Sequence, residues 1–191
     1  MNRAILAGVI MTATSAALAA PLTSKEARAA LFRSGLVEVV VLDQPFLTEQ
    51  DRTVLEQVAS EQKYYGAISF GPDDGLLSES LTGAFNYHDV ASARTAALAG
   101  CEAQRNGQAA CEVVAELRPR GWEAGRAISL SGDATEAFRT QYRNAKTPKA
   151  LAISPSTGLF AIALDPAAPG TALAQCEAMS QAQDCSVVLS E

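Results

Sequence analysis

Four cysteines, Cys101, Cys111, Cys176 and Cys185, are the residues whose type and spacing most directly imply chemistry. They form two pairs, ten and nine positions apart, in matching surroundings: ALAGCEA leads to CEVV, and ALAQCEA leads to CSVV. Thiols so placed can exchange electrons, hold zinc or form staples. Redox exchange favours two thiols close together at a helix start, where the dipole stabilises the thiolate. Here there is no Cys-x-x-Cys, and the first cysteine of each pair falls late in its helix. Common structural zinc sites use short knuckles that these intervals do not supply. An even cysteine count in an exported chain instead favours disulfides. Three connectivities are open to four cysteines, and the repeated setting of helix, polar turn and strand favours Cys101 with Cys111 and Cys176 with Cys185. Each such staple would contribute about 2–4 kcal/mol by restricting the unfolded chain.

His88 is the sole histidine and lies in NYHD between Tyr87 and Asp89. A small hydrolase-like site would use it as a base on a loop, oriented by Asp89 and served by a nearby serine. Asp89, however, has a competing role as a helix cap, and an exposed loop histidine is the simpler expectation. Tyr87, His88 and Trp122 are the candidate interaction residues, with Tyr64, Tyr65 and Phe85 as further aromatic candidates for a groove or for packing. Asp73, Asp74 and Glu79 carry oxygen ligands, yet GPDDG lacks the alternation of a calcium loop and suits a turn. No glycine pattern cradles a phosphate or dinucleotide, so no cofactor and no metal is expected.

These residues need elements to position them. Thr23 with Glu26 and Thr48 with Asp51 are capping boxes for two helices, separated by a strand, LVEVVVL. YYGAISF predicts a strand, GPDDG a turn and LLSESL a return strand; Asp89 then caps a helix through Cys101, and CEVVAEL is the next strand. The order recurs in shorter form: two strands within ALAISPSTGLFAIAL, a helix begun by Pro169 that carries ALAQCEA, and the strand CSVVL. Between them, RAISLS predicts a strand and DATEAFRTQYRNA a helix capped by Asp133 and Glu136. The predicted class is α+β, a mixed sheet with covering helices and two related β-β-α-β disulfide-stapled units.

The first twenty residues read as a secretory signal peptide: one basic group at Arg3, an apolar run from Ala4 to Met11, and small residues through Ala17-Leu18-Ala19. About 170 residues remain, enough for one substantial core or two small packed modules. The chain has a formal net charge of −6, so nucleic acid and anionic membrane surfaces are unpromising partners. No second apolar span follows, so no stable membrane insertion is expected after signal cleavage. The expected location is periplasmic or secreted.

The paired YGAIS and cysteine motifs resemble small exported bacterial proteins with duplicated β-β-α-β cysteine modules, a family of generally unassigned biochemical role. YYGAISF, ALAGCEA and CEVV carry the fuller match; ALAIS, ALAQCEA and CSVV carry the partial one. Ile68 and Cys101 lie 33 positions apart, Ile153 and Cys176 only 23, so the first unit holds an extra excursion around FNYHD. The resulting division is signal peptide 1–20, N-terminal helix-strand-helix 21–62, first cysteine unit 63–118, connecting strand-helix 119–148 and second cysteine unit 149–191. The expected function is a non-catalytic binding or interaction module of the cell envelope, its partner an envelope or extracellular protein or a small ligand. A structural or stress-supporting exported protein is the main alternative, and the hydrolase-like loop at His88 the other.

Overall fold

The computed structural model describes residues 20–191; the expected signal peptide therefore lies outside the described residues, apart from Ala20. The described residues hold five α-helices and seven strands, and the strands make two antiparallel sheets. The first sheet takes strands β1 (Val37–Val41), β2 (Gly66–Phe70), β3 (Thr82–Ala84) and β4 (Glu112–Pro119), in the order β1-β4-β2-β3. The second takes β5 (Ala150–Ile153), β6 (Phe160–Ala163) and β7 (Ser186–Ser190), in the order β6-β5-β7.

Strand alternation sorts each central strand into two faces. In β2, Ile68 and Phe70 join Leu117 beneath Leu55 and Ala59 of helix α2 (Glu49–Ser60). Ala67 faces the other way, with Val113, onto Ala93 and Ala97 of helix α3 (Val90–Gln104). In β5, Leu151 and Ile153 pack with Leu189 against Ala27 of helix α1 (Ser24–Ala30) and the connecting segment, while Ala150 and Ala152 meet Ala168, Ala172 and Cys176 of helix α5 (Ala168–Ser180). Both cysteine helices thus lay a stripe of Ala, Ala and Cys at four-residue spacing on an alanine-bearing sheet face. Small side chains on both surfaces let helix and sheet approach closely at native packing density.

The helix starts follow the expected chemistry. Thr23 with Glu26 and Thr48 with Asp51 form complete capping boxes, Asp89 accepts from the Ser92 amide, and Pro169 stands in the first turn of α5. The four cysteines form two bonds, Cys101–Cys111 and Cys176–Cys185, with Cα atoms 6.1 Å apart in each.

Four expectations need correction. The single mixed sheet is two separate antiparallel sheets, because residues 119–148 supply no strand to join them. RAISLS runs extended without pairing. Its Ile128 and Leu130 enter the second core, where Leu22 already occupies part of the β7 edge through Leu22 N–H to Val188 O (2.9 Å) and Ser190 N–H to Leu22 O (3.1 Å). The following helix α4 (Gly132–Ala137) is capped by Ser131, whose hydroxyl accepts from the Ala134 amide, and passes into a π-helical turn at Phe138–Tyr142. Asp133 is spent instead on Lys63 (2.6 Å) and Asn86 (2.9 Å), and Glu136 on Ser34 (2.9 Å).

LLSESL is likewise not a strand; β3 begins only at Thr82. The Ser78 and Ser80 hydroxyls lie 2.7 Å apart, and Ser80 accepts from the Gly71 amide at 3.1 Å. Such local side-chain bonds replace a ladder rather than extend one. Residues 21–62 serve both cores: α1 packs on the second, whereas β1 and α2 belong to the first.

Candidate functional site

Sequence placed Tyr87, His88 and Trp122 at possible interaction positions, and the structure does not bring the three together. His88 is the clearest departure from expectation, because only 1% of it is exposed. Its Nε2 is 2.9 Å from the Leu159 carbonyl oxygen and its Nδ1 is 3.1 Å from the Ser131 amide nitrogen. A carbonyl can only accept and an amide N–H can only donate, so the ring is neutral with its proton on Nε2. Burial pushes its pKa down, opposed by the Leu159 hydrogen bond and by Asp89 and Asp184.

His88 therefore ties the loop before α3 to the β5–β6 turn and to the residue capping α4. The groups that a hydrolase-like site would need at His88 are engaged elsewhere. Both ring nitrogens are held by backbone, Asp89 is spent on the Ser92 amide (2.7 Å) and hydroxyl (3.0 Å), and the buried Ser154 hydroxyl donates to Asp184 at 2.6 Å. Gly158 strengthens the same junction: its φ of +74° suits glycine, and a Cβ there would stand 2.7 Å from the Asn86 carbonyl oxygen.

Tyr87 packs on the first core beside Ala67, Ala93 and Ala97, and its backbone exchanges hydrogen bonds with Tyr65. Tyr64 and Tyr65 are buried in edge-to-face contact, 5.5 Å between centroids. Burial, with Tyr64 second, raises the Tyr65 phenol well above its ordinary range. Phe85 lies over Gly66 and Gly83. Of these aromatics, Tyr65 alone lines the groove in which Trp122 stands.

That groove has a volume of about 400 Å³ and is formed where four parts of the chain meet: Phe32 after α1, Tyr65 before β2, Asp89 to Arg94 at the start of α3, and Glu116 to Ser129 along and beyond the exit from β4. Glu116 is its fixed point. The side chain is 1% exposed, yet it carries two guanidiniums: Arg94 Nη1 donates to Oε1 at 2.8 Å, and Arg118 donates from Nε at 2.8 Å and from Nη2 to Oε2. Pairing both carboxylate oxygens is what makes such a burial tolerable. The Arg118 guanidinium then lies 4.4 Å from the Trp122 ring centre, and Arg126 lies 3.9 Å from that of Phe32 while donating to the Ala30 carbonyl at 3.0 Å. A carboxylate buried in the wall thus orients two partly exposed cations and an aromatic at the rim.

Arg94, Glu116 and Arg118 were missed by sequence reasoning. A signal was present: Glu116 interrupts the otherwise apolar buried run of EVVAEL, and a charge there demands a partner.

Asp73 and Asp74 have a structural role beyond a turn. Their carboxylates accept the amides of Asn106, Gly107, Gln108 and Ala109, fastening the GPDDG turn to the loop before β4. In the second unit Asp184, in the loop before β7, accepts from Ser154 and Ser156 of the β5–β6 turn. Burial raises the Asp184 pKa, but those hydrogen bonds together outweigh it and hold it low. Among the described residues, no three His, Cys, Asp or Glu side chains gather as a metal site, and no helix is long and apolar enough to cross a membrane.

Three other cavities are larger; the smallest of them, of about 420 Å³, is lined by Arg28, Leu31, Arg33, Phe138, Arg139 and Arg143, and two are more voluminous still. One, of about 560 Å³, is lined by Ser34, Lys63, Asp133 and Glu136, whose polar groups already satisfy one another. The other, of about 530 Å³, is mainly apolar and lies between Pro21 and Val187. Among the described residues none of these three sets a guanidinium over an aromatic ring, as the Trp122 groove does with Arg118 on Trp122 and Arg126 on Phe32. Compared with known family models, curated proteins and solved structures, the chain matches none.

Proposed function

We propose that this chain is an exported, non-catalytic binding module whose binding site is the groove at Trp122. The observation that carries this reading is the pre-organised rim. Trp122 and Arg118 are held against each other by Glu116, which is itself fixed by burial and by two arginines. Recognition favours an aromatic anchor and a polar group set rigidly in a concavity, because little freedom is then lost on binding. The two disulfides favour residence in the periplasm or outside the cell, in an oxidising compartment.

We further infer that residues 63–118 and 149–191 are related β-β-α-β units like the exported family that the sequence resembles. Three features support this. Each unit places its first strand between its second and its last. Each has a register shift where that central strand meets the strand after the second cysteine. Each lays an Ala-Ala-Cys helix stripe on an alanine face. The groove belongs to the first unit and its neighbours, so a duplicated scaffold carries an unduplicated site.

The test is affinity capture from a native envelope preparation, with oxidised protein in wild-type, Trp122→Ala and Tyr87→Phe forms. Tyr87 does not line the groove, so its variant is the matched control. A component retained by wild type and Tyr87→Phe but lost from Trp122→Ala supports the reading. Equal retention by all three forms, or by none, refutes this placement and shifts weight to a structural role.

A further inference from the structure

Hydrogen-bond accounting in the groove points to the ligand's chemistry. Most of its carboxylate oxygens are spent: both Glu116 oxygens take guanidinium donors, both Asp89 oxygens are held by Ser92, and Glu123, exposed at the rim, accepts from Arg126 Nη2 at 3.4 Å. Its guanidiniums are not. Each arginine carries five N–H donors in a planar fork. Arg94 uses only Nη1 and is half-exposed, while Arg118 uses Nε and Nη2 and leaves Nη1 without a partner among the described residues. The groove therefore offers strong donors with few acceptors to match them, in a chain that carries 15 basic residues against 21 acidic ones. An incoming group that supplies two acceptor oxygens in one plane completes that set.

Apart from Glu123 and Ser129, the remaining lining is mainly apolar, with Trp122, Phe32, Val90 and Ala91 beside the cations. A bare inorganic anion would leave this surface uncovered, whereas a neutral apolar molecule would desolvate guanidinium donors without pairing them.

We propose that the groove takes an organic carboxylate on a small apolar body, the carboxylate on Arg94 and Arg118 and the body against Trp122 and Val90. This deepens the groove-binding reading and rests on it.

Trp122 is the chain's single tryptophan and so reports on its own site. Oxidised protein would be titrated with cyclohexanecarboxylate, with the neutral cyclohexanecarboxamide and with sulfate, following Trp122 emission and binding heat. The expected result is saturable binding of the carboxylate, with amide and sulfate each at least about tenfold weaker, as befits a charge-assisted bond plus apolar contact. Arg94→Gln should weaken carboxylate binding about tenfold and, because it takes the charged donor from Glu116 Oε1, also lower the thermal midpoint, so its binding is read well below its own melting transition.

Equal binding of amide and carboxylate overturns the proposed ligand class yet leaves the groove as the site. Equal binding of sulfate removes the apolar body from the proposal. Unchanged carboxylate affinity in Arg94→Gln overturns the assignment of the carboxylate to that residue. Binding of none of the three probes overturns the ligand class if Trp122→Ala still loses the envelope component, and overturns the groove itself if that variant retains it.

Discussion

Replacing His88 with alanine removes a tie between three segments that are distant in sequence, and its cost can be worked out from the contacts. The Ser131 N–H loses its acceptor in a buried position, which costs about 1–3 kcal/mol. The Leu159 carbonyl suffers less, since it keeps the Ser154 amide at 2.9 Å. Loss of packing around the vacated ring adds about 1–2 kcal/mol. The expected total is about 2–5 kcal/mol, or a fall in thermal midpoint of about 4–20 °C for a chain of this length.

The wild-type protein should also show a pH signature that the variant lacks. The folded-state pKa of His88 is depressed, so below the ordinary value of 6.5 the unfolded chain takes up a proton that the folded chain refuses. Stability is therefore complete above pH 6.5 and declines as pH falls towards the folded-state pKa, by at most about 1.4 kcal/mol per pH unit. Carboxylates held low by hydrogen bonds, Glu26, Asp51, Glu102, Asp184 and Glu191, act in a lower window: their contribution stands above their ordinary 3.8–4.5 and is lost on further acidification. Urea unfolding followed by far-ultraviolet circular dichroism, at half-unit steps from pH 8 to 5, separates the two. A wild-type profile that is flat across that range, or a His88→Ala profile with the same slope, refutes the assignment of a buried neutral imidazole.

Two further substitutions test the supports of the fold. Gly158→Ala forces a side chain into a left-handed position against the Asn86 carbonyl, and should lower stability by about 1–3 kcal/mol in thermal melts; a neutral result would show that the two segments do not meet as described. Replacing Cys176 and Cys185 together by serine should cost about 2–4 kcal/mol, and non-reducing peptide mapping of the wild type should recover Cys101 with Cys111 and Cys176 with Cys185, whereas a fragment linking the two pairs would contradict the pairing.

What was legible in the sequence was mostly local. Capping at Thr23, Thr48 and Asp89 depends on residues three positions away, and each cysteine closes on a partner within one helix-turn-strand passage. His88 escaped because its two partners lie 71 and 43 residues away. Its fate was decided by the packing of the β5–β6 turn and not by its neighbours in NYHD. RAISLS has the alternation of a strand, but burying Ile128 and Leu130 against β5 and β7 required no ladder. Trp122 stood out in the sequence as a candidate interaction residue, whereas the arginines of its groove come from α3 and β4, and only the strand pairing and helix packing of the first sheet place them on one carboxylate.

The most direct measurement of the central claim is amide hydrogen exchange on the oxidised protein, with and without the envelope component recovered by capture. Binding at the Trp122 groove should slow exchange in residues 89–94 and 118–126, which line it, and leave the loops at residues 60–63 and 181–186 unchanged. Protection confined to residues 34–37 and 60–64 around the neighbouring cavity, or to residues 185–188 at the β7 edge, with the Trp122 rim unaltered, would contradict it.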